Sequence, residues 1–261
     1  MEGPNIQNIS TVQIAICYIL FLLVFTLIWY YRLKLGRDAL FSTIRMSAQL
    51  FLAGLVLKYV FEFNFWYTVL IILLIMLSFG VHTIISRVRL KFRRSTLNLF
   101  LSLMIGCCGT MIFFGGLVVR YEPWYDARYL IPLLGMIIGN SMNGCALALD
   151  RYYSSMRDNR DRVEAILAFG GTPFEASRHI FIQAFKASIL PTLSSMTGMG
   201  VVFLPGMMTG QILSGAEPFL AVKYQIAIML AILSATVFSS FILLKLETRL
   251  VFNRRAQLIE L

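Results

Sequence analysis

Long stretches without a single acidic or basic side chain recur along this chain, and a stretch of that kind has few structural fates. A helix needs about 20 apolar residues to cross the hydrocarbon core of a bilayer. Thr11 to Tyr31 meets that length and ends in Trp29, Tyr30 and Tyr31, aromatic side chains suited to the headgroup layer. Phe63 to Ile85, Leu97 to Val119, Tyr129 to Leu149 and Tyr224 to Leu244 repeat the pattern. Met46 to Leu57 is weaker, with 12 uncharged residues between Arg45 and Lys58. Long basic side chains near helix ends reach up to the headgroups, which lets a short apolar core span. Ala187 to Ala216 is the odd one: its 30 uncharged residues exceed what one upright helix needs, and they contain Pro191, Pro205 and several glycines. A kinked or broken helix is expected there. The fold class that follows is an all-α polytopic membrane protein with about seven transmembrane helices.

Composition agrees. Of 261 residues, 58% are hydrophobic and 14% charged, where soluble domains carry about 25% charged residues. A net charge of +10 could point to nucleic acid, but the positions of the charges argue otherwise. Only Lys58, Arg120, Arg128 and Lys223 of the 23 basic residues fall on one side of the expected topology. The rest collect in the segments that lie on the other side, as they do in cytoplasmic loops. This places the N-terminus outside and the C-terminus in the cytoplasm, with a lipid bilayer as partner and no nucleic acid. The first ten residues carry no positive charge and no small-residue cleavage site follows, so the first helix is expected to be retained. No repeat or low-complexity linker divides the chain, and residues 1–261 read as a single membrane domain.

Residues 150–187 form the longest charged island. Arg157 and Asp161, Asp158 and Arg162, and Arg160 and Glu164 are opposite charges four apart, which face each other on a helix. That helix should end near Phe169, because Gly170 and Gly171 supply a left-handed stop. A second begins at once, with Thr172 as N-cap, Pro173 in the first helical position and Glu175 completing a capping box. One reading of this helix, turn and helix is a solvated connector. Ile166, Leu167, Phe169 and Phe174 cluster around the turn, however, and suggest a docking knob.

Around the turn the sequence resembles the coupling segment of ABC-transporter permeases, Glu-Ala-Ala, three residues, Gly, nine residues, Ile. Glu164, Ala165, Gly170 and Ile180 match at that spacing, while Ile166 replaces the second alanine and the usual Leu-Pro appears only at Leu190 and Pro191. IRMSAQLFLAGLVLKYVF (44 to 61), LGMIIGNSMNG (134 to 144), LAFGGTPFEAS (167 to 177) and FLPGMMTGQILSGAEPFLAVKYQI (203 to 226) are similar to the FetB family of permeases. Its bacterial members are associated with iron export and its plant relatives with aluminium tolerance. The resemblance implies a permease domain in which residues 150–187 are a coupling segment, with Glu164, Ala165, Ile166, Leu167, Phe169, Gly170, Gly171, Thr172, Pro173 and Phe174 received by a cytoplasmic ATPase subunit of the FetA type. It also implies a homodimer of this chain, with ATP and magnesium bound on the partner subunit. The chain has no GxxxxGK[ST] phosphate loop, so no cofactor and no ATPase activity are expected on it. LSGAE (213 to 217) is only superficially like the ABC signature and falls in a loop expected on the outer face.

Pro205, Gly206, Met207 and Met208 put a break in an apolar run. Irregular backbone at membrane depth is tolerated when it is buried in protein or lines a cavity, so the break is either a packing kink or part of a transport path or gate. Met196, Met199, Met207 and Met208 bring polarizable sulfur, a gap filler or a soft-metal ligand. Hard ions would want oxygen groups such as Asn140, Ser141, Asn143, Thr192, Ser194, Ser195 and Thr197, which serve equally as interhelical hydrogen-bonding groups. GxxxG at Gly135 to Gly139 and at Gly206 to Gly210 suggests a dimer face on the fifth or sixth span. Cys17, Cys107, Cys108 and Cys145 lie in apolar runs and read as core residues. His82 and His179 have no nucleophile or carboxylate at a spacing that would make either a general base, so no catalytic residue is assigned. An ABC-type metal exporter is the leading function. The alternative, a secondary transporter driven by an ion gradient, would need ionisable groups inside the spans.

Overall fold

The structure, a computed structural model, describes residues 10–33, 35–63, 65–88, 93–120, 122–253 and 257–258. Its backbone falls into two units. The first holds α1 (Thr11–Tyr30) and α2 (Gly36–Phe63), which pack on each other. Ser10 caps α1 in a capping box with Gln13, and Tyr18 and Ser47 share a hydrogen bond between the helices. The weak second span is thus a helix of 28 residues. Arg45 and Lys58 sit about 20 Å apart along its axis, inside the ~30 Å core, so both must extend toward the headgroups.

In the second unit α3 (Trp66–Val88) precedes α4, which is α-helical over Arg93–Leu103 and Gly109–Phe113 and turns to π-helix at Met104–Cys108 and Phe114–Val119. Then come α5 (Ala127–Asp158), α6 (Arg160–Ala168), α7 (Pro173–Gly198), α8 (Gly206–Leu213) and α9 (Pro218–Val251). The core is built around α5, which packs on α3, α7 and α9, while α9 also packs on α7 and α4. Small residues set these crossings. A Cβ on Gly144 of α5 would lie 2.6 Å from Thr236 Cγ2 and 3.0 Å from the Ser188 carbonyl oxygen. One on Gly106 of α4 would clash with Ser239 Oγ. Gly139, Gly206 and Gly210, from the two GxxxG pairs, have open space instead. Cys107 and Cys145 are buried, the first beside Ser239 and the second beside Ser240, while Cys17 is exposed.

Six helices among the described residues are long and apolar enough to cross a membrane, where about seven spans were expected. The difference lies in Ala187 to Ala216. Its first part is the end of α7, which runs without interruption through Pro191; residues 199–205 are irregular, and α8 follows as a helix of only 8 residues. The break falls at Gly200, whose φ of +85° favours glycine, and its N–H donates to the Phe203 carbonyl at 3.0 Å. Pro205 then opens α8, its carbonyl accepting from Thr209 N–H.

Candidate functional site

Two places in the second unit carry chemistry beyond packing, one at each end of α7. At its start stands the turn from α6. Helix α5 runs to Asp158 and α6 begins after a bend at Asn159, so two of the three expected charge pairs straddle the bend. The third, Arg160 with Glu164, forms an ion pair at 2.8 Å. Gly171 N–H donates to the Ile166 carbonyl at 2.9 Å and Gly170 N–H to that of Leu167 at 3.0 Å, a Schellman stop. Gly170 takes φ +87°, while a Cβ at Gly171 would meet the Ile166 carbonyl oxygen at 2.8 Å. Two glycines are therefore needed for two different reasons. Thr172 N–H donates to Glu175 Oε2 at 2.8 Å and Glu175 N–H to Thr172 Oγ1 at 3.3 Å, closing the capping box. The Thr172 backbone N–H, and after it the hydroxyl, holds the Glu175 carboxyl below its ordinary range.

The four apolar residues of the turn divide. Ile166 and Leu167 fold inward onto a core of Tyr152, Met156, Val163, Ile180, Leu244 and Val251. Phe169 is 93% exposed and Phe174 58%. Glu164, Ala165 and Thr172 also face outward. Beside the turn a cleft of about 620 Å³ opens between α7 and α9, lined by Pro173, Phe174, Phe181, Phe241, Lys245 and Arg249. The same stretch of α9 carries a group that sequence reading missed. Glu247 of α9 is fully buried and accepts from Ser95 Oγ at 2.7 Å, Asn98 Nδ2 at 2.9 Å and the Tyr153 hydroxyl, tying α4, α5 and α9 together. It hides in the sequence because it sits in the charged run KLETR, where a carboxylate reads as a solvated end.

At the other end of α7 the break forms a second cavity, about 330 Å³, lined by Met196, Met199, Gly200, Pro205 and Met208 together with Gln225 and Met229 of α9. Gln225 is 6% exposed. Its Nε2 faces Met199 Sδ, a weak acceptor, at 3.9 Å, and its Oε1 has no hydrogen-bond partner. An orphaned buried acceptor costs about 1–3 kcal/mol. The other candidates do not converge on this cavity. Asn140 donates to the Met136 carbonyl of its own helix, Asn143 accepts from Arg87 at 3.4 Å, Ser194 and Ser195 are exposed, and Gly206 and Met207 lie on α8 outside the lining. Gln225 and Met229 belong to a span with no flagged residue, and their only sequence signal is the spacing of four that puts them on one face of α9. Among the described residues no three His, Cys, Asp or Glu side chains come together as a metal site.

Comparison with known proteins places this arrangement. The model of the family described as "Uncharacterised protein family (UPF0014)" matches residues 11–252. The "UPF0014 membrane protein slr1647" of Synechocystis is 36% identical over 87% of this chain and 88% of its own. The "Probable iron export permease protein FetB" of Escherichia coli is 29% identical over 98% of this chain and 97% of its own. "Protein ALUMINUM SENSITIVE 3" of Arabidopsis thaliana is 31% identical over 88% and 82%. No solved structure matches. The similarity to FetB read from the sequence blocks thus extends over the whole chain, and this multi-pass membrane protein belongs to the UPF0014 family.

Proposed function

We propose that the chain is the membrane-spanning permease subunit of an ABC transporter that exports iron or another metal ion, driven by ATP hydrolysed on a separate cytoplasmic subunit. Two copies of the chain and two ATPase subunits make the working assembly. Phe169 carries the reading: a large apolar side chain is held out in water at the tip of a turn that is locked by a Schellman stop, a capping box and a buried core. A connector gains nothing from that display, whereas a socket on a partner would bury the ring. Lys245 and Arg249 beside the turn suit an acidic rim on that partner. The turn continues without interruption into α7, so motion imposed on Phe169 is delivered to the break at residues 199–205. This geometry requires the turn and the C-terminal end of α9 on the cytoplasmic side, as the basic residues favour.

The test is recovery of the ATPase subunit with detergent-solubilised permease. Gly170→Asp forces a side chain onto a left-handed backbone and into the docking surface, and is expected to abolish recovery; unchanged recovery overturns the coupling role. Metal efflux from proteoliposomes that depends on ATP, and metal accumulation in cells lacking the gene, test the cargo. The gradient-driven alternative has one observation in its favour, the buried carboxylate of Glu247. Efflux by the chain alone that follows an imposed proton gradient and ignores ATP would select it.

A further inference from the structure

We propose that the cavity at the break binds a soft monovalent metal cation through the thioethers of Met196, Met199, Met208 and Met229 and the amide oxygen of Gln225. Three observations converge. The four methionines come from three separate pieces of chain, the end of α7 with its turn, α8 and α9, and meet around one space. Gln225 lines the same space, its Oε1 is buried without a donor, and its Nε2 rests on one of the sulfurs. No acidic or basic side chain lines it.

That last point selects the ligand. Thioethers favour soft ions, and the cost of bringing a cation into an uncharged, low-dielectric site rises with the square of its charge. A trivalent hard ion would meet neither suitable donors nor a counter-charge. A soft ion of the Cu(I) or Ag(I) class meets polarizable sulfur and one oxygen dipole, and it satisfies the acceptor that the fold leaves unpaired. Gly200, in the left-handed region at φ +85°, lines the cavity where the chain leaves α7. The site lies about 10 Å along α9 from its start at Pro218, at the end of α7 opposite the docking turn. In the transport reading it is a station on the export path; the role rests on that reading, the binding does not.

The experiment uses the full chain purified in detergent, without an ATPase subunit. Cu(I) is offered from a colorimetric chelator under reducing conditions, and Ag(I) by titration. Wild type is expected to take about one ion per chain from the cavity. Met199→Leu and Met208→Leu, close to isosteric, and Gln225→Leu should each weaken uptake about ten-fold or more, at least the effect of losing an outer-shell partner, with thermal unfolding near wild type. Met46→Leu, on α2, should leave uptake unchanged, and since every variant keeps the four cysteines, their contribution cancels. Gln225→Glu retains an oxygen and should retain binding, which a purely structural glutamine would not predict. Equal uptake by wild type and the Met199 and Met208 variants, or uptake of ferric iron or aluminium that survives their loss, overturns the proposal. Binding that persists while ATP-driven efflux fails would instead remove the exporter reading and leave the site standing.

Discussion

The two ends of α7 are each opened by a glycine in the left-handed region, Gly170 at φ +87° and Gly200 at φ +85°, yet they are built in opposite ways. At the docking turn the N–H groups of Phe169, Gly170, Gly171 and Thr172 each find an acceptor within five residues, and a core from four helices backs it. At the break the local hydrogen bonds run between backbone groups, Val201 and Val202 stand exposed, and part of the lining comes from α9 across the fold. A surface that must present one shape to a partner suits the first construction. A cavity proposed to take up an ion suits the second.

The largest test of that contrast strikes what the two ends share. Gly144 sits where α5, α7 and α9 cross, and Gly144→Leu drives a side chain into Thr236 and the Ser188 carbonyl. Overpacking there is expected to cost about 3 kcal/mol or more, lowering the thermal midpoint in detergent and removing partner recovery and ion uptake together. Loss of one without the other would mean that the ends do not share a scaffold. Glu247→Leu is next and should separate them. It removes the acceptor that Ser95, Asn98 and Tyr153 share, at about 1–3 kcal/mol for an unsatisfied buried group. Recovery of the ATPase subunit should fall, and Cu(I) uptake should stay.

The glycines themselves give the third test. Neither has any atom within 4 Å of an added Cβ, so a substitution there reports backbone strain alone, about 1–2 kcal/mol. Gly170→Val and Gly200→Val should each show it, with Asn at either position milder because Asn tolerates the left-handed region. Docking should respond to the first and ion uptake to the second. A Gly200→Val protein that binds Cu(I) as wild type does would show that the break is not what shapes the cavity.

The same contrast decides what could be read before the fold was known. Thr172, Pro173, Glu175 and the two glycines act over three or four residues, so the glycine stop and the capping box were legible, while the bend at Asn159 and the inward fold of Ile166 and Leu167 were not. The apolar runs gave the long helices, and Arg45 to Lys58 needed only the extra turns at each end of α2. The cavity was half legible. Met196, Met199 and Met208 stood out because they share a run with Pro205, but Gln225 and Met229 join them only through the packing of α7 on α9. GxxxG spacing pointed to Gly206 and Gly210, while the close crossings use Gly106 and Gly144. A lone glycine in an apolar run looks the same whether a neighbouring helix touches it or not.

The smallest expected effects lie within the turn. Thr172→Ala removes the cap and should cost about 1 kcal/mol, enough to speed amide exchange over the first turn of α7 without unfolding the bundle. The partner half of the box gives a pH dependence with a definite sign. Because Thr172 donors hold the Glu175 carboxyl below its ordinary range, the charged form is the one that the folded turn favours. The support it lends is therefore complete above the unfolded-state value and is lost as pH falls through the lowered one. Exchange protection at Glu175 should stay level from neutral pH down to the usual carboxylate range and decline only below it, after correction for intrinsic exchange. In Glu175→Gln, which keeps an acceptor without a charge, the decline should vanish while part of the protection remains. A decline that persists in Gln would assign the pH response to another group and leave the turn held by its glycines and its threonine.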